Sequence, residues 1–325
     1  MTVELELSAV VAGVRSGARR ELGRALTWIE NRHPQTDALL TALRAGNEPR
    51  LAKCVRFGIT GAPGVGKSSV TARLIVELRA RGERVAVLAV DPTSPITGGA
   101  VLGDRVRMGG HANDDGVYIR SFASRGAVGG VAVACDEAAE LLACAGFTLV
   151  LIETVGVGQL ELGIVAVADE IHLLVAPDSG DVVQYLKAGL LELVHRIVVN
   201  KCDRPGADET VGLLRELAHE RGAPEPLAVS ANTGAGIEAL VQAMGETAAT
   251  VRQASASDRL TARLERRLIE RAEAQWIESG WSRGGGRVRA SALAREIATG
   301  RRDFADVIAE LVRGDQSGGR DRTEH

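Results

Sequence analysis

The sequence predicts an α/β fold, a doubly wound and mostly parallel sheet with helical extensions at its N and C termini. Two observations predict it. Short segments such as Arg84–Val90 and Phe147–Ile152 are rich in β-branched residues and apolar almost without interruption, the mark of strands buried on both faces of a parallel sheet. Another such segment, Val55–Ile59, runs into Gly61–Ser68, which fits G-x-x-x-x-G-K-[ST] at every fixed position and precedes a helical run from Ser69 to Arg79.

Residues 1–50 come first, as an N-terminal helical arm. Val10, Val14, Leu22, Leu26 and Ile29 recur at helical spacing, Asn31–Pro34 breaks the pattern, and a second short helix runs from about Gln35 to Arg44. His33 falls in the break and is read as a loop residue. No chemistry is assigned to this arm.

Residues 51–250 form the domain proper. Strand, glycine turn and helix in succession are the setting in which main-chain N–H groups surround a polyphosphate and the helix N-terminus adds partial positive charge. Gly61, Ala62, Pro63, Gly64, Val65 and Gly66 supply that loop. Lys67 would reach the β- and γ-phosphates, the Ser68 hydroxyl would ligate Mg²⁺, and Ser69 would lie against the phosphates.

The further strands are Ile171–Ala176, Arg196–Asn200 and Leu227–Ser230. In such sheets ligands sit at the carboxyl ends of the strands, and the polar clusters of this chain fall there. Asp91 follows the strand ending at Val90 and would face the metal side of the loop, or else cap a helix. Gly98–Arg105 carries three glycines and is read as a nucleotide-ordered switch loop, with Asp104 placed near Mg²⁺ or the attacking water, or as a solvated loop carboxylate. Glu153 ends its strand as a second metal-side acid; Gly156 would sense the γ-phosphate through its N–H, and Gln159 is either a water-orienting group or an exposed loop residue. Lys67, Asp104 and Glu153 are thus the candidate catalytic groups. Pro177–Lys187 is an acidic glycine turn opening a helix, read either as an additional mobile segment or as a plain cap by Ser179 or Asp181.

Asn200-Lys201-Cys202-Asp203 spells N-K-x-D at a strand end. Asp203 would accept the guanine N1–H and exocyclic amine, Asn200 would brace the loop, and the Lys201 stem would cover the base. Adenine has an acceptor where guanine has a donor, so a single carboxylate discriminates between them. Ser230, Ala231 and Asn232 follow the next strand as a second base-binding loop. GTP or GDP is the ligand this set predicts, with Mg²⁺ as cofactor. Cys202 occupies the free position of the motif as a small filler.

Residues 255–313 are read as a C-terminal helical segment for dimerisation or partner docking, with Leu260, Leu264, Leu268, Ala272 and Trp276 forming a stripe; Gly280–Gly286 ends that helix, a final short helix covers Ala290–Ile297 and is followed by Phe304–Val312, and residues 314–325 are expected to be disordered.

Composition excludes several classes. A net charge of −3 with 25% charged residues argues against a nucleic-acid partner, and 3% aromatics leave little for base-stacking platforms. No apolar run has membrane-spanning length, and four scattered cysteines without a C-x-x-C pair fit a reducing cytoplasm.

Assembled, these motifs resemble the chaperone GTPases of cobalamin-dependent mutases, the methylmalonyl-CoA mutase-associated or ArgK/LAO-transport family of P-loop GTPases. The resemblance rests on G-I-T-G-A-P-G-V-G-K-S-S (58–69), V-A-V-L-A-V-D-P-T-S-P (85–95), T-G-G-A-V-L-G-D-R-V-R-M (97–108), G-F-T-L-V-L-I-E-T-V-G-V-G-Q (146–159) and N-K-C-D (200–203). It implies a homodimeric GTPase of low intrinsic activity that loads, gates or reactivates adenosylcobalamin in a partner acyl-CoA mutase, without itself binding cobalamin. By the same resemblance Asp104 matches the switch aspartate implicated in hydrolysis, Asp91 and Glu153 match the magnesium-side acids, and Lys187 matches the lysine of an extra switch. Cys202, Leu160 and Ala188 depart from the family's usual residues, and the last weakens the match of that extra switch.

Two other classes share parts of this pattern. A nickel-delivery type of metallochaperone GTPase would need a Cys/His cluster, whereas the histidines here, among them His111, His172, His195 and His219, are scattered. A P-loop kinase or transport-linked ATPase is opposed by the guanine motif.

Overall fold

The structure, a computed structural model, describes residues 2–91, 109–111, 113–123, 128–154, 167–177, 193–220, 222–282, 296 and 301. Among the described residues seven strands form one sheet: β1 (Val55–Thr60), β2 (Val85–Asp91), β3 (Val117–Ala123), β4 (Leu149–Thr154), β5 (Glu170–Val175), β6 (Arg196–Val199) and β7 (Leu227–Ala228). Their order is β3-β2-β4-β1-β5-β6-β7, and every pairing is parallel.

The helices among the described residues are α1 (Thr2–Ser16), α2 (Arg19–Glu30), α3 (Thr36–Arg44), α4 (Glu48–Lys53), α5 (Lys67–Ala80), α6 (Val128–Cys144), α7 (Ala207–Glu220), α8 (Ile237–Gln253) and α9 (Ala256–Ser282). Because side chains alternate across a strand, each strand feeds two layers. Val55, Phe57 and Ile59 of β1, with Val85 and Val87 of β2, pack with α5 and α8 around Val70, Leu74, Leu240 and Met244. Ala86, Leu88 and Val90 of β2, with Val150 and Ile152 of β4, turn to the other face and meet α6. Leu214 of α7 packs on Leu173, Val175, Ile197 and Val199.

That second face also holds the N-terminal helices. Leu22, Leu26 and Ile29 of α2, and Leu39, Leu40 and Leu43 of α3, are at most 1% exposed and belong to the same apolar cluster as α6. Arg44 Nε reaches Glu140 Oε1 at 2.5 Å, and Arg50 Nη1 donates to Cys144 O at 2.6 Å. The apolar periodicity of residues 10–29 spans two helices, since the chain turns at Gly17–Ala18 between α1 and α2.

Strand β3 and helix α6 are additions to the sequence reading. The segment V-Y-I-R-S-F-A interleaves Arg120 and Ser121 with apolar residues because it is an edge strand, and Arg120 Nη2 leaves the sheet to meet Glu30 Oε2 at 2.8 Å. Its apolar run is therefore too short to stand out.

The chain divides into two compact units, Met1–Arg263 and Leu264–His325. Within the first, Arg263 Nη2 donates to Asp169 Oδ1 at 2.5 Å, and Asp169 Oδ2 accepts the Arg56 N–H at 2.9 Å. The helix predicted for Ala290–Ile297 lies outside the described residues but for Glu296, which is helical, and Phe304–Val312 lies outside them altogether. Among the described residues no helix is long and apolar enough to cross a membrane.

Candidate nucleotide-binding site

The carboxyl ends of β4, β1, β5, β6 and β7 lie side by side, so the loops that leave them meet at one edge of the sheet. The loop after β1 approaches its neighbours too closely for side chains at two of its glycines. A Cβ on Gly61, whose φ is +145°, would lie 2.2 Å from Leu174 O, and one on Gly66, at φ +96°, would lie 2.4 Å from Asn200 Nδ2. Gly66 is also the N-cap of α5, whose first-turn N–H groups therefore open toward the loop.

Lys67 begins α5 and is 7% exposed; its Nζ donates to Gly61 O at 2.6 Å and Ala62 O at 3.0 Å, so the ammonium lies against the loop's own backbone. The Ser68 hydroxyl donates to Glu153 Oε1 at 2.6 Å, and the Thr71 hydroxyl to Oε2 at 3.1 Å. Glu153 reaches this position because β4 pairs with β1 in the register Ile59↔Glu153, one residue short of the loop. Thr154 then bonds Thr60 at 3.1 Å, hydroxyl to hydroxyl, tying the two strand ends together.

Ser68 and Glu153 offer only oxygens, the donor set that a small hard cation such as Mg²⁺ prefers. Asp91 closes β2 on the next strand, two residues beyond the pair Ala89↔Glu153, so its backbone is at the same edge. Among the described residues there is no cluster of three or more His, Cys, Asp or Glu that could hold a metal.

The loops after β6 and β7 carry the residues read from the sequence as base-binding. Asn200 Nδ2 donates to Val65 O at 2.8 Å, and Asn200 Oδ1 accepts the Ala231 N–H at 3.1 Å, so one buried amide joins the phosphate loop to the second base loop. Lys201 takes the left-handed conformation, φ +61°, and the Cys202 N–H donates to Val229 O at 3.0 Å; together they turn Asp203 back beside Ser230. Ser230 Oγ donates to Asp203 Oδ1 at 2.5 Å. That bond, with the backbone N–H of Asp203, holds the carboxyl below the usual carboxylate range and leaves it an acceptor at neutral pH. Burial pushes the Cys202 thiol upward, the state of an unreactive filler. A cavity of about 530 Å³ opens here, bounded by Gly66, Ser69, Lys201, Asp203 and Asn232.

The structure therefore brings Gly61–Ser69, Glu153, Asn200, Lys201, Asp203 and Ser230–Asn232 to one edge of the sheet. Asp104, Gly156, Gln159 and Lys187 lie outside the described residues. Two contributors escaped the sequence reading. Thr71 stands three residues after Ser68 on the same helix, a spacing that shares a face and was visible in the sequence. Arg73, which bonds Ala231 O at 2.8 Å and Asn232 O at 3.0 Å, carries no local signature.

The chain is similar to several known proteins. A putative GTPase of Pyrococcus horikoshii is 44% identical over 204 residues, 63% of this chain and 63% of its own. GTPase ArgK of Escherichia coli is 39% identical over 203 residues, 62% of this chain and 61% of its own. The mitochondrial methylmalonic aciduria type A homolog of Caenorhabditis elegans is 42% identical over 199 residues, 58% of this chain and 50% of its own. The match thus spans less than two thirds of each of these relatives. A crystal structure of an LAO/AO transport system kinase superposes with a TM-score of 0.68 at 25% identity, covering 95% of this chain and 97% of that one. The family model described as methylmalonyl Co-A mutase-associated GTPase MeaB matches residues 22–282, a span that takes in the whole sheet, and the chain belongs to that family.

Proposed function

We propose that this protein is a GTP-hydrolysing switch that serves as chaperone to an adenosylcobalamin-dependent acyl-CoA mutase. The observation that carries the nucleotide part is the convergence of the phosphate loop, Glu153 and Asp203 on one sheet edge, with Asn200 bonded to both loops. The mutase part is supported by family membership and by the name of the C. elegans relative.

In this reading the main-chain N–H groups of Gly61–Ser69, Pro63 excepted, and the Lys67 ammonium take up negative charge on the phosphoryl oxygens as it develops. Ser68, Glu153 and Asp91 would hold Mg²⁺, which when bound neutralises charge on the β- and γ-phosphates. Asp203 accepts the two guanine donors, Ser230, Ala231 and Asn232 flank the base, and the Lys201 stem covers it. Asp104 acts near Mg²⁺ or the attacking water, Gly156 reports the γ-phosphate through its N–H, Gln159 orients water, and Lys187 belongs to an additional switch. The protein acts in the cytoplasm as a homodimer, its C-terminal helical segment serves dimerisation or partner docking, it binds neither nucleic acid nor cobalamin itself, and it hydrolyses GTP slowly until the mutase engages it.

Turnover of GTP and ATP by the whole protein, alone and with an adenosylcobalamin-dependent acyl-CoA mutase, tests this. GTP should be preferred, the mutase should accelerate hydrolysis, and Asp203→Ala should collapse the preference. Equal use of ATP, or an Asp203→Ala protein that still selects GTP, would overturn the nucleotide assignment; indifference to the mutase would overturn the partner.

A further inference from the structure

Arg73 lies one turn beyond Ser69 on α5, the helix that the phosphate loop opens, yet its guanidinium points at the base side of the cavity. Nε donates to Ala231 O at 2.8 Å and Nη2 to Asn232 O at 3.0 Å, so one planar group grips two consecutive carbonyls. A trans peptide is planar, with its C=O and N–H pointing opposite ways, so holding the Asn232 carbonyl also aims the Thr233 N–H. That N–H donates to Ser230 Oγ at 3.1 Å. The same hydroxyl donates to Asp203 Oδ1 at 2.5 Å. The chain of contacts runs without a gap from the helix after the phosphate loop to the carboxylate read as the guanine selector.

We infer that Arg73 is a positioning residue for base selection: by fixing the Asn232–Thr233 peptide plane it orients Ser230 and, through Ser230, the Asp203 carboxylate. The inference rests on the guanine-nucleotide reading above and adds to it a residue distant from the recognition motif in sequence. Arg73 is exposed and anchors no part of the apolar core. Its removal should therefore disturb the direction of the carboxylate more than the fold.

The test measures Kd values of the full-length protein for GTP, ITP, ATP and inorganic tripolyphosphate in the wild type and in Arg73→Met, Arg73→Lys and Asp203→Ala. ITP lacks the exocyclic amine, so the GTP-to-ITP ratio reports how well the carboxylate is aimed. Arg73→Met should lower that ratio by about fivefold to tenfold, within the range of an ordinary hydrogen bond, because the selecting carboxylate is misdirected and not removed. Tripolyphosphate affinity should not change. Arg73→Lys, which can reach one carbonyl at a time, should restore part of the ratio. Because the ratio is internal to each preparation, a partly unfolded sample lowers the active fraction without moving it. An Arg73→Met protein with the wild-type ratio, or one that loses tripolyphosphate affinity in equal measure, would overturn the inference while leaving the guanine reading in place. A wild type without preference for GTP over ATP, or an Asp203→Ala protein with the wild-type ratio, would overturn both.

Discussion

The Ser68 hydroxyl and the Glu153 carboxylate meet at 2.6 Å although 85 residues separate them, and the same carboxylate accepts Thr71 through its second oxygen. Glu153 is 4% exposed, so its two oxygens answer two hydroxyls at a depth where an unpaired polar group is costly. The contact joins the phosphate-loop helix to the neighbouring strand at the place proposed for the metal.

Glu153→Ala should act on both folding and turnover. Leaving the two hydroxyls without their acceptor should lower stability by about 1 to 3 kcal/mol. GTP hydrolysis should fall by more than GTP binding does, since the proposed metal-side charge acts mainly on the phosphoryl group in the transition state. Urea unfolding read beside single-turnover hydrolysis checks both; unchanged hydrolysis would remove Glu153 from the chemistry.

Asn200→Ala breaks the link from Val65 O to the Ala231 N–H while sparing the Asp203 carboxylate. Affinity for GTP and for GDP should drop together, by about tenfold or more, because phosphate loop and base loop are no longer held at a common spacing. Isothermal titration with each nucleotide checks this. A loss confined to one of them would show that the amide does not set that spacing.

At the opposite end of β5, burial would raise the pKa of Glu170, but hydrogen bonds from His172, Thr247 and Arg196, with the His172 charge, overcome it and hold the carboxyl at about 2 against an ordinary 4.5. A depressed carboxylate pKa stabilises the folded state above pH 4.5, and that contribution is lost as the pH falls toward 2. Glu170→Gln should therefore cost about 2 to 3 kcal/mol at pH 7, and the difference from wild type should shrink steadily below pH 4.5. Chemical denaturation at pH 7 and pH 3 checks the sign; a gap that widens on acidification would contradict it.

Leu26 of α2 is fully buried in the cluster it shares with α6 and the sheet. Leu26→Ala should destabilise the first compact unit by about 2 to 5 kcal/mol, the range for a large-to-small change in a packed core. A thermal melt checks this, and a shift within error would mean that α2 can separate from the sheet.

The strands of the interior were readable because a parallel strand covered on both faces leaves a nearly unbroken apolar run, as at Leu149–Thr154 and Ile171–Val175. Where that condition fails, the reading fails with it: β3 is an edge strand whose Arg120 pairs with Glu30, and α6, which opens V-G-G-V, buries even its acids Asp136, Glu137 and Glu140, so no solvent-facing polar stripe marks its period. The phosphate loop and N-K-C-D were equally legible, since each is a short run whose chemistry depends on neighbours in the chain.

By itself, then, the sequence determined the interior strands of the sheet and that the phosphate-loop motif, Glu153 and N-K-C-D lie at strand ends. The tertiary structure alone decided the strand order, the seating of α1–α3 against α6, and the partners of Ser68, Asn200 and Arg73. The reason is range: backbone preference and hydrophobic period act over a few residues, whereas a contact such as Arg73 to Ala231 exists only after the twist and order of an entire sheet have brought β1 and β7 to the same edge.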